Sequence, residues 1–444
     1  MTPRTDLKKI YQAAIAAVDP EKAVHFCLHL EKDVLNLCSN QQTITAFDLS
    51  QIQRILVVGA GKATAPMARA IEDILGKKIC AGCICVKYGH ALPLSFIETI
   101  EAAHPLPDEN AITGAQKIKK LLESATEKDL VISLISGGGS ALLSLPPESV
   151  SLGDKQATTD LLIKSGAAIH EINAVRKHLS QVKGGNLAKA AYPAATLNLM
   201  VSDVVGDRLD VIASGPFAPD DSTFTQALGV LKKYKLIQKI PPAVLAYITA
   251  GAQGKIVETP DKKDRIFDRV THLIIASNIH CLQAAKKQAE ALGYSSLILS
   301  SAIEGDTKET ADWHTQIAKE VLSSANPLPA PTCIITGGET TVRVKGKGKG
   351  GRNMEFALQA APAIAGLKNI LIASIGTDGS DGPTDAAGAV AHGFTLDNAA
   401  KLGLDITDYM KRNDAYPFFK ALGDLVITGP TQTNVMDIRI ILVS

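Results

Sequence analysis

A mostly apolar run that stops at three consecutive glycines, DLVISLISGGGSALL (129–143), narrows the fold more than any other stretch of the chain. Continuous apolar residues without polar alternation mark a strand covered on both faces, the habit of parallel sheets. The same grammar recurs in RILVVGAGKATAPMARAIEDIL (54–75), where Ala63, Met67, Ala70, Ile71 and Ile74 keep helical spacing behind Gly59 and Gly61. It returns in ATLNLMVSDVVGD (195–207), CIITGGET (333–340) and LIASIGTDGSDG (371–382). Strands alternating with helices predict a doubly wound α/β sheet. Such sheets take ligands at the carboxyl ends of their strands, where these glycines stand.

A chain of 444 residues is too long for one ordinary core. Loop-like sequence around GAQGKIVETPDKKDRIFD (251–268) suggests a boundary, drawn here between 1–240 and 241–444. Lys plus Arg number 46 against 45 Asp plus Glu, so no basic surface for nucleic acid or membrane is expected. No apolar run has the length of a membrane span, and the opening segment reads as an amphipathic helix continuing to about residue 40, not a signal peptide. Seven cysteines include a C-x-x-C at Cys80 and Cys83, but no second ligand pair completes a zinc site. They read as structural thiols of a cytoplasmic protein.

Glycine lets successive backbone N–H groups converge on an anion, and a following helix adds its N-terminal partial charge. Gly59-Ala60-Gly61-Lys62 is neither standard nucleotide motif: a dinucleotide fingerprint needs glycine where Thr64 stands, and a Walker loop needs glycine at Leu56. What remains is a lysine behind a strand, suited to a carboxylate or phosphoryl group, or a plain surface lysine. Ser136-Gly137-Gly138-Gly139-Ser140 is a candidate phosphate cradle or a tight structural turn. Thr336-Gly337-Gly338-Glu339 is followed by Lys345 to Asn353, whose alternating Lys and Gly suit a mobile cationic flap over a polyphosphate, Lys349 included, or a solvated hairpin tip, and Arg352 opens a helix. The acidic loop Gly376–Gly382 lacks the EF-hand spacing, leaving a Mg²⁺ role, a hold on basic residues or a turn. Asp203 and Asp207 follow a strand and could serve as base, Mg²⁺ ligands or helix cap. Asn173 to His178, with Lys183, forms a basic stretch that could neutralise phosphate or face solvent.

Taken in order, VVGAGKA, HPLPD, SLISGGGSALL, INAVRKHLSQVKGGNLA, VSDVVGD, ASGPFAPD, TGGETTV, GKGGRNME and GTDGSDGPTDAAGA resemble the motifs of the type II glycerate kinases. The C-terminal half of that family is its MOFRL domain, and the resemblance spans essentially the whole chain. It implies a larger N-terminal Rossmann-like domain and a smaller C-terminal α/β MOFRL domain with the active site in the cleft. It further implies ATP- and Mg²⁺-dependent phosphorylation of D-glycerate, usually at the 2-hydroxyl. The family's catalytic lysine, arginine and aspartate fall on Lys62, Arg352 and Asp203. Substrate contacts are then expected at Gly61, Lys62 and Arg352, nucleotide contacts at residues 136–140, Gly337, Gly338, Glu339 and Lys349, and metal ligands at Asp203 and Asp207. The alternatives are phosphorylation of the 3-hydroxyl and an NAD(P)H-dependent hydroxypyruvate reductase. The missing third glycine, and Lys87 and Tyr88 where an acidic residue is needed, oppose the reductase. Homodimerisation is left open.

Overall fold

Strand Asp129–Ile135 is buried along its whole length and Arg54–Ala60 from its second residue onward, as their unbroken apolar runs require. The computed structural model describes residues 2–39 and 42–444. Its strands in chain order are β1 (Leu28–Glu31), β2 (Val34–Ser39), β3 (Gln42–Asp48), β4 (Arg54–Ala60), β5 (Ile79–Lys87), β6 (Glu98–Ala102), β7 (Asp129–Ile135) and β8 (Ala195–Val201). They continue with β9 (Val270–Ala276), β10 (Ser295–Asp306), β11 (Thr332–Thr341), β12 (Ile370–Gly376), β13 (Gly388–His392), β14 (Leu425–Val426) and β15 (Asp437–Val443).

The first of two units comprises Pro20–Ser202 and Asp207–Ile275. Its sheet runs β6-β5-β4-β7-β8-β9, with β4 parallel to both β5 and β7. Counted from β4, this is the 3-2-1-4-5-6 order of the doubly wound fold, whose switch point lies between its first and fourth strands. Here those strands are β4 and β7. Leu56, Val58 and Ala60 share a core with Ala111, Ala115, Ile118 and Leu122 of helix Glu109–Glu123. The alternate residues face the other way, where glycine at 59 leaves room for Thr64 at the start of helix Thr64–Leu75.

The second unit comprises the N-terminal segment up to Asp19, Asp203–Gly206 and Ala276–Ser444. Its mixed sheet runs β10-β11-β15-β12-β13-β14, with β15 antiparallel to both β11 and β12. Helix Arg352–Ala363 supplies Met354, Phe356, Ala357, Leu358, Ala360 and Ala361 to the core.

Two expectations change. The single cut at 240/241 does not match the contact-defined units, because β9 completes the first sheet and carries that unit to Ile275. The opening helix ends at Ala16, where a further helix (Pro20–Cys27) and the antiparallel β1-β2-β3 sheet follow. That opening helix belongs to the second unit: Tyr294 donates to Asp6 at 3.2 Å and Thr433 donates to the carbonyl of Val18 at 2.7 Å. Among the described residues, no helix is long and apolar enough to cross a membrane.

Candidate active site

The turns leaving β4 and β7 are sewn together at the switch point. Ser136 N–H donates to the carbonyl of Ala60 at 3.1 Å, and Lys62 N–H donates to that of Gly137 at 2.9 Å. The Ser136 hydroxyl accepts from Ala63 N–H at 3.0 Å and lies 3.2 Å from the Thr64 hydroxyl. Ser136 is therefore spent inside the fold, and so is Thr64. Gly61 needs its φ of +145° and its missing side chain, since a Cβ there would stand 2.0 Å from Ser136 Oγ. Gly139 is filled by Ala60 and Ala213. Within 136–140 only Gly138 and Ser140 retain partial exposure.

Each of these two lies beside positive charge. Gly138, at φ +82°, is backed by His104 and the Lys62 side chain, with Lys62 Cγ 3.2 Å from where a Cβ would sit. Burial, then the charge of Lys62, pushes the His104 imidazole down to about 4, so it is neutral at physiological pH. Lys62 makes no ion pair among the described residues. On the other side, Ser140 Oγ receives Arg176 Nη2 at 2.5 Å and Lys183 Nζ at 3.0 Å, and lies 2.9 Å from Ser214 Oγ. Lys183 Nζ also donates to the Ser140 carbonyl at 2.6 Å. Lys155, in helix Leu152–Lys164, donates to Ser144 at 3.2 Å. Burial, with Arg176 nearby, lowers the Lys155 ammonium to about 7 and, with Lys155 as well, lowers Lys183 far below the usual lysine range. Ala213, Ser214 and Gly215 all have positive φ (51°, 63° and 60°), a strained wall beside Ser140.

The basic stretch thus divides. Lys177 is matched by Asp210 and Asp220 at 3.3 and 3.2 Å, and His178 by Glu258 at 2.9 Å. Arg176 and Lys183 have no carboxylate among the described residues, and neither does Lys155.

In the second unit Arg352 lies at the start of its helix and is held by acids. Asp437 accepts from its Nε and Nη2 at 2.7 and 3.0 Å, and Glu339 accepts from Nη1 at 2.5 Å. Of the five guanidinium N–H groups, two stay available. Asp381 receives the amides of Asn353 and Met354 at 3.0 and 2.7 Å, while burial pushes its carboxyl up to about 7. The acidic loop accordingly caps the helix behind Arg352.

The expected flap is tethered. Lys345 and Gly346 N–H donate to Asn413, Gly348 N–H to the Arg412 carbonyl and Lys349 N–H to Asp414. The Lys349 ammonium sits 4.7 Å over the Tyr416 ring. Its glycines answer to this neighbour, since a Cβ at Gly346 would be 2.1 Å from the Arg412 carbonyl oxygen. Gly337 and Gly338 lie inside β11, not in a loop after it, and are closed off by Asn278 and Ile303.

Asp203 and Asp207 occupy the turn after β8, Asp207 at φ +53°. Their oxygens are hard donors, and Mg²⁺ is usually held by one or two carboxylates plus substrate phosphates. Among the described residues the three-ligand group that could hold a metal lies elsewhere, at Glu21, His25 and Asp73. Sequence reading missed Lys155, His104 and Asp437. A signal existed for Lys155: with Thr158 and Leu162 it occupies the buried face of its helix, where a lysine is out of place.

The family model described as a domain of unknown function (DUF4147) matches residues 6–249, and that of the MOFRL family matches 332–437. A protein of Pyrococcus horikoshii named glycerate 2-kinase is 42% identical, over 97% of this chain and 95% of its own. One from Agrobacterium vitis bearing a hydroxypyruvate reductase name is 40% identical, over 100% of this chain and 95% of its own. The crystal structure of glycerate kinase from Thermotoga maritima superposes with a TM-score of 0.87 at 41% identity, covering 99% of both chains.

Proposed function

Because the chain belongs to the glycerate kinase family and is a phosphotransferase, we propose that it carries the γ-phosphoryl group of ATP to the 2-hydroxyl of D-glycerate. The observation that carries this reading is Lys62: a cation without an ion pair among the described residues, beside Gly138, at the switch point of a doubly wound sheet. Two anions must approach in such a transfer, and fixed positive charge lowers their repulsion. In this reading Lys62 binds the glycerate carboxylate or the transferring phosphoryl group. Gly138 and Ser140 line the nucleotide phosphates, and Arg352 turns its two remaining N–H groups to an anionic oxygen. Asp203 accepts a hydrogen bond from the attacking hydroxyl. With Asp207 it would hold Mg²⁺, which when bound would neutralise charge on the phosphates. Positioning and electrostatics supply most of the catalysis of phosphoryl transfer.

The reductase reading is disfavoured by the same turn. Thr64 fills the third fingerprint position with a buried side chain facing Ser136, and β5 ends on Lys87 without the acid a ribose needs. A phosphorus NMR time course with Mg-ATP and D-glycerate tests the proposal. Growth of 2-phosphoglycerate supports it, and 3-phosphoglycerate overturns the regiochemistry alone. No phosphoester, with NADH consumed on hydroxypyruvate, would give the reaction to the reductase.

A further inference from the structure

A cation with little access to water normally has a carboxylate beside it, because burying an unmatched charge costs several kcal/mol. Lys155 and Lys183 are 5% and 0% exposed and have none among the described residues. Arg176, half-buried, is close enough to lower both ammonium groups. All three belong to the first unit, and its other buried lysine, Lys177 (4% exposed), shows what ordinary pairing looks like, with two aspartates. The contrast is local and chemical: three positive groups meet, and the atoms they touch are neutral serine oxygens.

We infer that Lys155, Arg176 and Lys183, gathered round Ser140 and Ser144, form a buried receptacle for a phosphate group. Charge decides between the two anions of the proposed reaction. A carboxylate carries one negative charge and would leave most of this cluster uncompensated. A phosphate ester or polyphosphate brings two or more. Donor geometry agrees. Lys155 gives one of its three protons to Ser144, and Lys183 gives two of its three, both to Ser140. Two protons on Lys155 and one on Lys183 stay unassigned, beside the planar fork of Arg176, which suits phosphate oxygens. The Ser140 hydroxyl, receiving from two cations, has its own hydrogen directed at Ser214 Oγ and anchors the cluster to the strained 213–215 turn. The inference rests on the kinase reading only for the phosphate's carrier, ATP.

The test uses the full chain, with inorganic tripolyphosphate and, separately, D-glycerate, followed by calorimetry and thermal melting. Tripolyphosphate is expected to raise the wild-type melting temperature. Lys183→Met is expected to bind tripolyphosphate about tenfold or more weakly. Its D-glycerate binding is expected to be unchanged. Should Lys183→Met fail to fold, Lys155→Met and Arg176→Gln carry the same readout. Wild-type tripolyphosphate affinity in the variants, no tripolyphosphate binding by wild type, or loss of D-glycerate binding alone would overturn the receptacle. If wild type binds tripolyphosphate through these residues yet forms no phosphoester from ATP and D-glycerate, the receptacle stands and the kinase reading falls.

Discussion

Asp437 accepts from two nitrogens of Arg352 across 85 residues of sequence, at 2.7 and 3.0 Å. It also takes Asn353 Nδ2 at 2.9 Å and lies 3.5 Å from Arg439, which is 1% exposed. One buried carboxylate thus fixes the direction of Arg352 and neutralises the arginine beneath it.

Replacing Asp437 by Asn keeps the size and removes the charge. Leaving Arg439 buried without its counter-ion is expected to cost about 3 kcal/mol, read as a lower urea midpoint. Arg352 loses its bidentate hold, so kcat/KM is expected to fall as well. An unchanged urea midpoint would show that Arg439 does not depend on this acid.

Lys62→Ala separates binding chemistry from folding. The side chain is only partly buried and ends in no ion pair among the described residues, so little stability is at stake. Removing a fixed charge from phosphoryl transfer is expected to lower kcat/KM on the order of 10²-fold or more, with the melting temperature nearly unchanged. Turnover near wild type would remove Lys62 from the mechanism.

Gly138→Ala probes the turn itself. At φ +82° a side chain costs about 1–2 kcal/mol, and its Cβ would press on His104 and Lys62 Cγ at 3.0 and 3.2 Å. Those neighbours are side chains and can give way, so folding is expected to survive while Lys62 is displaced. Loss of kcat/KM well beyond the loss of stability, from parallel assays and denaturation, is the expected pattern. Equal losses would mean that the turn matters only to the fold.

The first sheet was legible because parallel strands announce themselves: nothing but burial on both faces explains DLVISLIS. The position of Lys62 followed from strand, glycine and helix in sequence. The partition of the basic stretch did not follow, because Arg176 and Lys177 are neighbours in the chain and opposite in circumstance. Only folding brings Asp210 and Asp220 to one and Ser140 to the other. The glycines at 337, 338 and 346 misled for a related reason. Absence of a side chain records close approach, and sequence cannot say whether a phosphate, Asn278 or the Arg412 backbone approaches. The opening helix showed an amphipathic face without naming the unit that would cover it.

His314 gives the pH prediction its sharpest form. It is fully buried; Nδ1 is 2.7 Å from the Thr310 carbonyl and Nε2 is 2.8 Å from the Thr336 hydroxyl. A carbonyl can only accept, so Nδ1 carries the hydrogen and Nε2 accepts from Thr336, which is the neutral ring. Burial pushes its pKa down to about 3, and burial likewise takes His104 and His272 to about 4. The unfolded chain binds these protons near pH 6.5 and the folded one does not. Stability from the neutral rings is therefore complete above pH 6.5 and lost as pH falls toward 3. Asp381, raised to about 7, runs the opposite way: its contribution is complete below its unfolded value and lost as pH rises through 7. The total slope mixes these signs, so the informative quantity is a difference. His314→Gln is expected to lose about 2 kcal/mol less stability than wild type between pH 7 and 5, by urea unfolding at both pH values. Identical losses in the two proteins would show that the ring takes up its proton without unfolding.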